Sequence, residues 1–115
     1  MKNQFTISLK KIIEEFKLEI IHVPDNIDDL VIAENEVNRP GLQLMGFYEY
    51  FNAERIQIIG KMEYAYLSTI DEKTRYERIE VLMSKKIPAL IISRELPYFS
   101  EMLELSKKYE VPLLR

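Results

Sequence analysis

Glycines are the first residues to test for chemistry here, because backbone N–H groups in a glycine loop can cradle phosphates. Gly41 and Gly46 have the G-x-x-x-x-G spacing of a phosphate-binding loop. Phe47 and Tyr48 follow, where that loop needs a lysine for the phosphates and a hydroxyl for magnesium. With only Gly41, Gly46 and Gly60 in the chain, a G-x-G-x-x-G turn cannot be assembled either. His22 is the only histidine and closes an apolar segment, so it is expected to be a hydrogen-bonded strand-end imidazole rather than a metal ligand. Asp25, Asp28, Asp29, Glu34 and Glu36 lack the alternating carboxylates and the glycine of a calcium loop, and predict a solvated turn. Ser8, Ser68, Ser84, Ser93, Ser100 and Ser106 share one potential base, and none lies in G-x-S-x-G. No carboxylate pair is singled out by spacing. No catalytic, cofactor-binding or metal-binding residue is assigned.

Two groupings suit binding better than catalysis. Phe47-Tyr48-Glu49-Tyr50-Phe51 puts four rings into five residues, with Arg39 and Arg55 not far along the chain. Such a cluster can stack on a ligand or meet a partner. Equally, Phe47 and Phe51 can pack inward at i, i+4 while the tyrosines cover the rim. Arg39, Arg55, Gln57 and Glu63 adjoin predicted strand ends or glycines, positions that form clefts in open α/β sheets and also make ordinary helix-end ion pairs. Arg39, Tyr48, Tyr50, Arg55, Gln57 and Glu63 are thus the candidate ligand or interface residues.

The elements that must hold these groups follow from hydrophobic period. Leu9, Ile12, Ile13 and Phe16 fall on one helical face, with Ser8 placed to cap it. Leu18–His22 predicts a strand stopped by Pro24-Asp25-Asn26, and Leu30–Ala33 a second. After the break at Asn38-Arg39-Pro40-Gly41, the segment Leu42–Phe51 is expected to be helical, with Pro40 in its first turn. Arg55–Ile59 is a β-branched strand, and Met62, Ala65 and Tyr66 continue on a helical period. Asp71 caps the next helix, whose stripe is Arg75, Ile79, Leu82 and Met83. Pro88–Ile92 has the continuous apolar character of a parallel strand covered on both faces. Pro97 suits a first helical turn, with Phe99, Met102, Leu103 and Ser106 facing inward. Val111–Leu114 predicts a closing strand, which Pro112 places at a sheet edge. This alternation defines an α/β domain with a largely parallel sheet, and residues 1–115 are expected to form that single domain.

Composition supports the same class. The 115 residues are 47% hydrophobic and 30% charged, the balance of a chain that can bury a core. Cysteine is absent, so disulfides and thiolate metal sites are excluded. Sixteen basic against nineteen acidic residues give a net charge of −3, which offers nucleic acid and anionic membranes no bulk attraction. Lys10 and Lys11 interrupt the apolar run that a signal peptide over Met1–Ile13 would require, and a cytoplasmic location is expected. Arg115 follows directly on the closing strand, which hints at a piece of a longer protein.

At Asn38-Arg39-Pro40-Gly41-Leu42-Gln43-Leu44-Met45-Gly46-Phe47, and again from Phe51 to Glu63, the chain resembles the N-terminal domain of HPr kinase/phosphorylase. The family pattern is R-P-G-L-x-L-x-G-F, an aromatic residue, then R-I-Q-x-x-G-x-x-E and a Y-L pair, here Tyr66-Leu67. Ile87–Arg94 and Val111–Arg115 look like the family's later strand and domain end. The resemblance implies a three-layer α/β fold similar to the substrate-binding domain of Mur ligases. It implies a bacterial parent that uses ATP or pyrophosphate with Mg2+ to phosphorylate a serine of HPr, the phosphocarrier of the sugar phosphotransferase system. The same parent reverses the step by phosphorolysis, which controls carbon catabolite repression. The implied partners are a C-terminal kinase domain, which would hold the P-loop, ATP and Mg2+, the other subunits of a homohexamer, and HPr. None of the family's catalytic residues map onto these positions, so this chain is expected to have a regulatory or assembly role and to be inactive alone. The alternative is a stand-alone α/β module that senses a small ligand.

Overall fold

The computed structural model describes residues 6–115, and the part of the signal-peptide reading that concerns Met1–Phe5 lies outside them. Its centre is a five-stranded sheet of order β2-β7-β6-β5-β4. The strands are β2 (Ile20–His22), β4 (Val37–Asn38), β5 (Ile56–Ile59), β6 (Leu90–Ile92) and β7 (Leu113–Leu114). β4 to β7 run parallel in chain order, and β2 joins β7 antiparallel. A separate two-stranded ribbon pairs β1 (Ile7–Ser8) with β3 (Val31–Ile32).

Alternation along the central strands sorts their side chains to two faces. Ile59, Leu90, Ile92 and Leu113 meet Leu67 of α3 (Lys61–Thr69), Ile79, Leu82 and Met83 of α4 (Glu72–Ser84), and Met102 and Leu105 of α5 (Ser100–Tyr109). Leu44 of the short α2 (Gly41–Leu44) joins this larger core. Ile56, Ala89 and Leu114 turn the other way, onto Leu9 and Ile13 of α1 (Leu9–Phe16) and Ile32 of the ribbon. All the crossover helices lie on one face, so the molecule has three layers, as α/β chains with a parallel sheet require. Among the described residues, no helix is long and apolar enough to cross a membrane.

Several expected elements form as their local chemistry dictates. The Ser8 hydroxyl accepts the Lys11 N–H, capping α1, and Asp71 accepts the Thr74 N–H, capping α4. Others differ for physical reasons. The predicted helix Leu42–Phe51 stops after Leu44, because Gly46 turns to φ +102° and the Phe47 N–H closes back on the Leu42 carbonyl. Pro97 lies ahead of α5 rather than in its first turn, after a tight turn in which the Leu96 N–H donates to the Ser93 carbonyl. Pro112 does not mark an edge, since β7 sits between β6 and β2. It precedes the paired residues, and its carbonyl accepts the Leu90 N–H at 2.9 Å, so the missing N–H costs the ladder nothing. The predicted Leu30–Ala33 strand is shorter and pairs outside the main sheet. The stripe Met62-Ala65-Tyr66 is not the buried face of α3: Met62 is 79% exposed, while Glu63 and Leu67 point inward.

Leu82, fully buried between sheet and helices, reports on the larger core. Leu82→Ala is expected to lower unfolding free energy by about 2–5 kcal/mol, measured by urea titration. A loss below the low end would mean that the α4 face packs loosely.

Candidate functional site

Of the sequence-selected residues, Arg39 and Glu63 meet past the end of β5, Gln57 is bonded on the β4–β5 pair itself, and the side chains of Arg55, Tyr48 and Tyr50 lie elsewhere. Gln57 is fully buried on β5, facing the α2 side of the sheet. Its Oε1 accepts the Asn38 amide at 2.7 Å, and its Nε2 donates to the Arg55 carbonyl at 2.9 Å. Asn38 also donates to Gln43 Oε1 at 3.0 Å, which ties β4 and β5 to α2. At the far end of β5 the chain turns at Gly60 into α3. There Glu63, only 8% exposed, accepts the Gly60 N–H at 2.7 Å, half of a capping box, and Arg39 Nη2 and Nε at 2.9 and 3.2 Å.

Gly60 leaves room for the Arg39 guanidinium. A Cβ at this position would lie 2.2 Å from Arg39 Nη2 and 2.9 Å from its Cζ. Burial alone pushes the Glu63 carboxyl upward, yet the hydrogen bonds from Arg39 and from the Gly60 N–H outweigh it and hold it below the ordinary glutamate value. Asn38 and Gln43 complete the polar network but were not among the selected residues. Asn38 lies directly opposite Gln57 in the β4–β5 register, and Gln43 is the third residue of α2.

Arg55 joins this network only through its carbonyl, and its side chain stands apart. Its guanidinium pairs with Glu36 at 2.8 Å and lies 3.9 Å from Glu34. The acidic stretch is thereby partly neutralised by cations, Lys10 taking Asp28 in the same way at 3.1 Å. Tyr48 and Tyr50 part company as well. Tyr50 is 95% exposed with φ +65°, whereas Tyr48 packs edge-on against Phe51 and onto the larger core. The expected inward Phe47 is instead exposed, because the helix that would have turned it inward has already ended. The Tyr48 hydroxyl is buried without a hydrogen-bond partner among the described residues, and burial pushes its pKa up to about 12, against a smaller opposing pull from Arg78. His22 also departs from expectation, its Nε2 being buried without a partner among the described residues.

The segment with phosphate-loop spacing is closed upon itself. The N–H groups of Gly41, Leu44, Met45, Gly46 and Phe47 all donate to backbone carbonyls of residues 39–43. A phosphate needs those donors unspent. Nor does the topology open a crevice. Consecutive parallel strands lie side by side from β4 to β7, without the reversal of strand order at which open sheets bind ligands. Arg39 and Arg55 both already face carboxylates, with which an anionic ligand would have to compete. On the other face, α1 and the sheet enclose an apolar groove of about 450 Å³ whose polar liners are Glu34 and Asn35.

The class is thus an α/β domain whose polar centre locks backbone and strands together. A family profile described as HPr Serine kinase N terminus matches residues 7–115. The chain is 47% identical over 111 residues to the HPr kinase/phosphorylase of Caldicellulosiruptor bescii, covering 96% of this chain and 36% of that protein. Against the protein of the same name from Alkaliphilus metalliredigens it is 44% identical over 110 residues, covering 96% and 35%. Against that of Streptococcus uberis it is 36% identical over 110 residues, covering 96% and 36%. The chain belongs to the HPr serine kinase N-terminal family, and it spans about a third of the length of the curated relatives it matches.

Because the folded Glu63 carboxyl titrates below its unfolded value, its stabilisation is complete above the unfolded pKa and is lost as pH falls through the folded one. Glu63→Gln should cost about 1–3 kcal/mol at neutral pH and progressively less in acid, read from urea titrations across that range. Gly60→Ala should displace Arg39 and abolish most of the additional effect of Arg39→Ala in a double-mutant cycle. Additive losses in that cycle would show that Gly60 and Arg39 act independently.

Proposed function

We propose that this chain is the non-catalytic regulatory and assembly domain of an HPr kinase/phosphorylase. The observation that carries the reading is the match of residues 7–115 to a family described as the N terminus of that kinase. The absence of the P-loop lysine and hydroxyl after Gly46 points the same way, since phosphoryl transfer rests on a phosphate cradle, a cation clamp and magnesium ligands. In this reading ATP or pyrophosphate and Mg2+ belong to the remaining two thirds of the full-length protein. That part carries the kinase domain, acts on HPr and assembles as a homohexamer in the bacterial cytoplasm. This domain shapes or regulates that centre, in carbon catabolite repression. The three layers and the mostly parallel sheet support a kinship with the substrate-binding domain of Mur ligases.

Titration calorimetry of the chain with ATP and Mg2+ should give no saturable heat, and incubation with HPr should give no phosphoserine. Micromolar nucleotide affinity or turnover would overturn the non-catalytic reading. In a full-length relative, removing the segment that matches residues 7–115 should leave phosphoryl transfer to HPr while altering hexamer assembly or its regulation. Unchanged assembly and regulation would overturn the assigned role.

A further inference from the structure

The corner where α2 meets α4 holds a grouping that the Glu63 network does not use. A cavity of about 440 Å³ opens there, and Met45, Tyr48, Glu77, Arg78 and Val81 are among its walls. Arg78 reaches from α4 to α2 and donates through Nη1 to the Leu44 carbonyl at 3.2 Å. That is its one hydrogen bond among the described residues, so most of a guanidinium fork is left to the cavity. The Tyr48 hydroxyl is buried and unpartnered, and the Lys85 ammonium lies 4.8 Å from the centre of the Tyr48 ring. Two cations and an unsatisfied donor therefore share one corner of the molecule.

Around them the surface is apolar. Met45 and Val81, 53% and 43% exposed, stand on the cavity itself, and Leu42 and Phe47, 57% and 47% exposed, continue the surface along α2 and its closing turn. Exposed Met and Phe side chains around an arginine and a tyrosine match the make-up of protein interfaces. Glu77 decides which anion suits the cavity. Its carboxylate on the wall opposes a phosphate dianion more strongly than a single negative charge.

We propose that this corner docks a protein segment that presents an aspartate or glutamate carboxylate beside apolar side chains. One carboxylate oxygen takes the free N–H groups of Arg78, and the Tyr48 O–H donates to the other once the ring has shifted enough to reach it. The apolar side chains cover Met45 and Val81. A charge-assisted bond to the Tyr48 hydroxyl would satisfy a donor that the free domain leaves unpaired.

The test is a titration of the isotope-labelled 115-residue chain, followed by amide chemical shifts. The probes are the capped peptide acetyl-Leu-Asp-Phe-Leu-amide, its asparagine counterpart and inorganic phosphate. The aspartate peptide should move amides in segments 42–48 and 77–82 and bind about tenfold more tightly than the asparagine peptide. Phosphate should give no saturable shift. Val81→Glu should abolish binding, and Arg78→Gln should remove the preference for aspartate. Tyr48→Phe should weaken binding several-fold without lowering the melting temperature, a result that loss of packing would not give. Arg78→Lys, which keeps the charge, should retain part of the affinity and serves should Arg78→Gln fail to fold. Equal affinity for the two peptides, shifts elsewhere or none, or phosphate saturating the same amides would overturn the proposal.

Discussion

Everything in this domain depends on the parallel ladder of β5, β6 and β7 being buried on both faces. Gln57, Ile58 and Ile59 pair with Leu90, Ile91 and Ile92, and Leu90 and Ile91 in turn pair with Leu113 and Leu114. In a parallel ladder every second residue faces the same layer, so this register fixes which side chains meet α3, α4 and α5 and which meet α1. A slip of one residue would drive Gln57 into the α1 face, away from the Asn38 amide that satisfies it. The polar network is thus both a product of the register and a guard upon it.

Two ion pairs then fix the helices, one beside the sheet and one between helices. Glu63 joins the β5–α3 turn to Arg39 after β4, and Arg75 on α4 meets the nearly buried Glu101 of α5 through two hydrogen bonds. Arg75 also donates to the Leu67 carbonyl and lies 4.3 Å from the centre of the Phe99 ring. Buried charges are tolerated only when their hydrogen bonds are made, and breaking one partner is costly. These pairs therefore specify geometry more than they add net stability.

The phosphate-like spacing of Gly41 and Gly46 shows why spacing alone does not make a site. The same glycines that could open a cradle here close a single helical turn, with their N–H groups spent on carbonyls two and three residues back. What remains at this corner is a surface, with an arginine, a tyrosine and exposed apolar side chains where a catalytic loop would have had a lysine.

Much of the architecture was legible because it is set by local rules. Ser8 and Asp71 were placed by capping chemistry, the stripe Arg75-Ile79-Leu82-Met83 by helical period, and the strands at 56–59 and 90–92 by β-branched runs. The family could be recognised from the motif residues 38–47 and 51–63. Tertiary structure alone decided that α2 ends at Leu44, which leaves Phe47 exposed and Tyr48 partly buried against the larger core. It decided that Glu63 rather than Met62 faces inward, because a carboxylate held by Arg39 and the Gly60 N–H sets the rotation of α3. It also decided that Arg39 meets Glu63 past the end of β5 and Gln57 meets Asn38 across the strands, while the Arg55 guanidinium turns to Glu34 and Glu36. Periodicity fixes which residues share a face of one element, whereas the partner that a polar side chain finds lies tens of positions away and exists only once the sheet has formed.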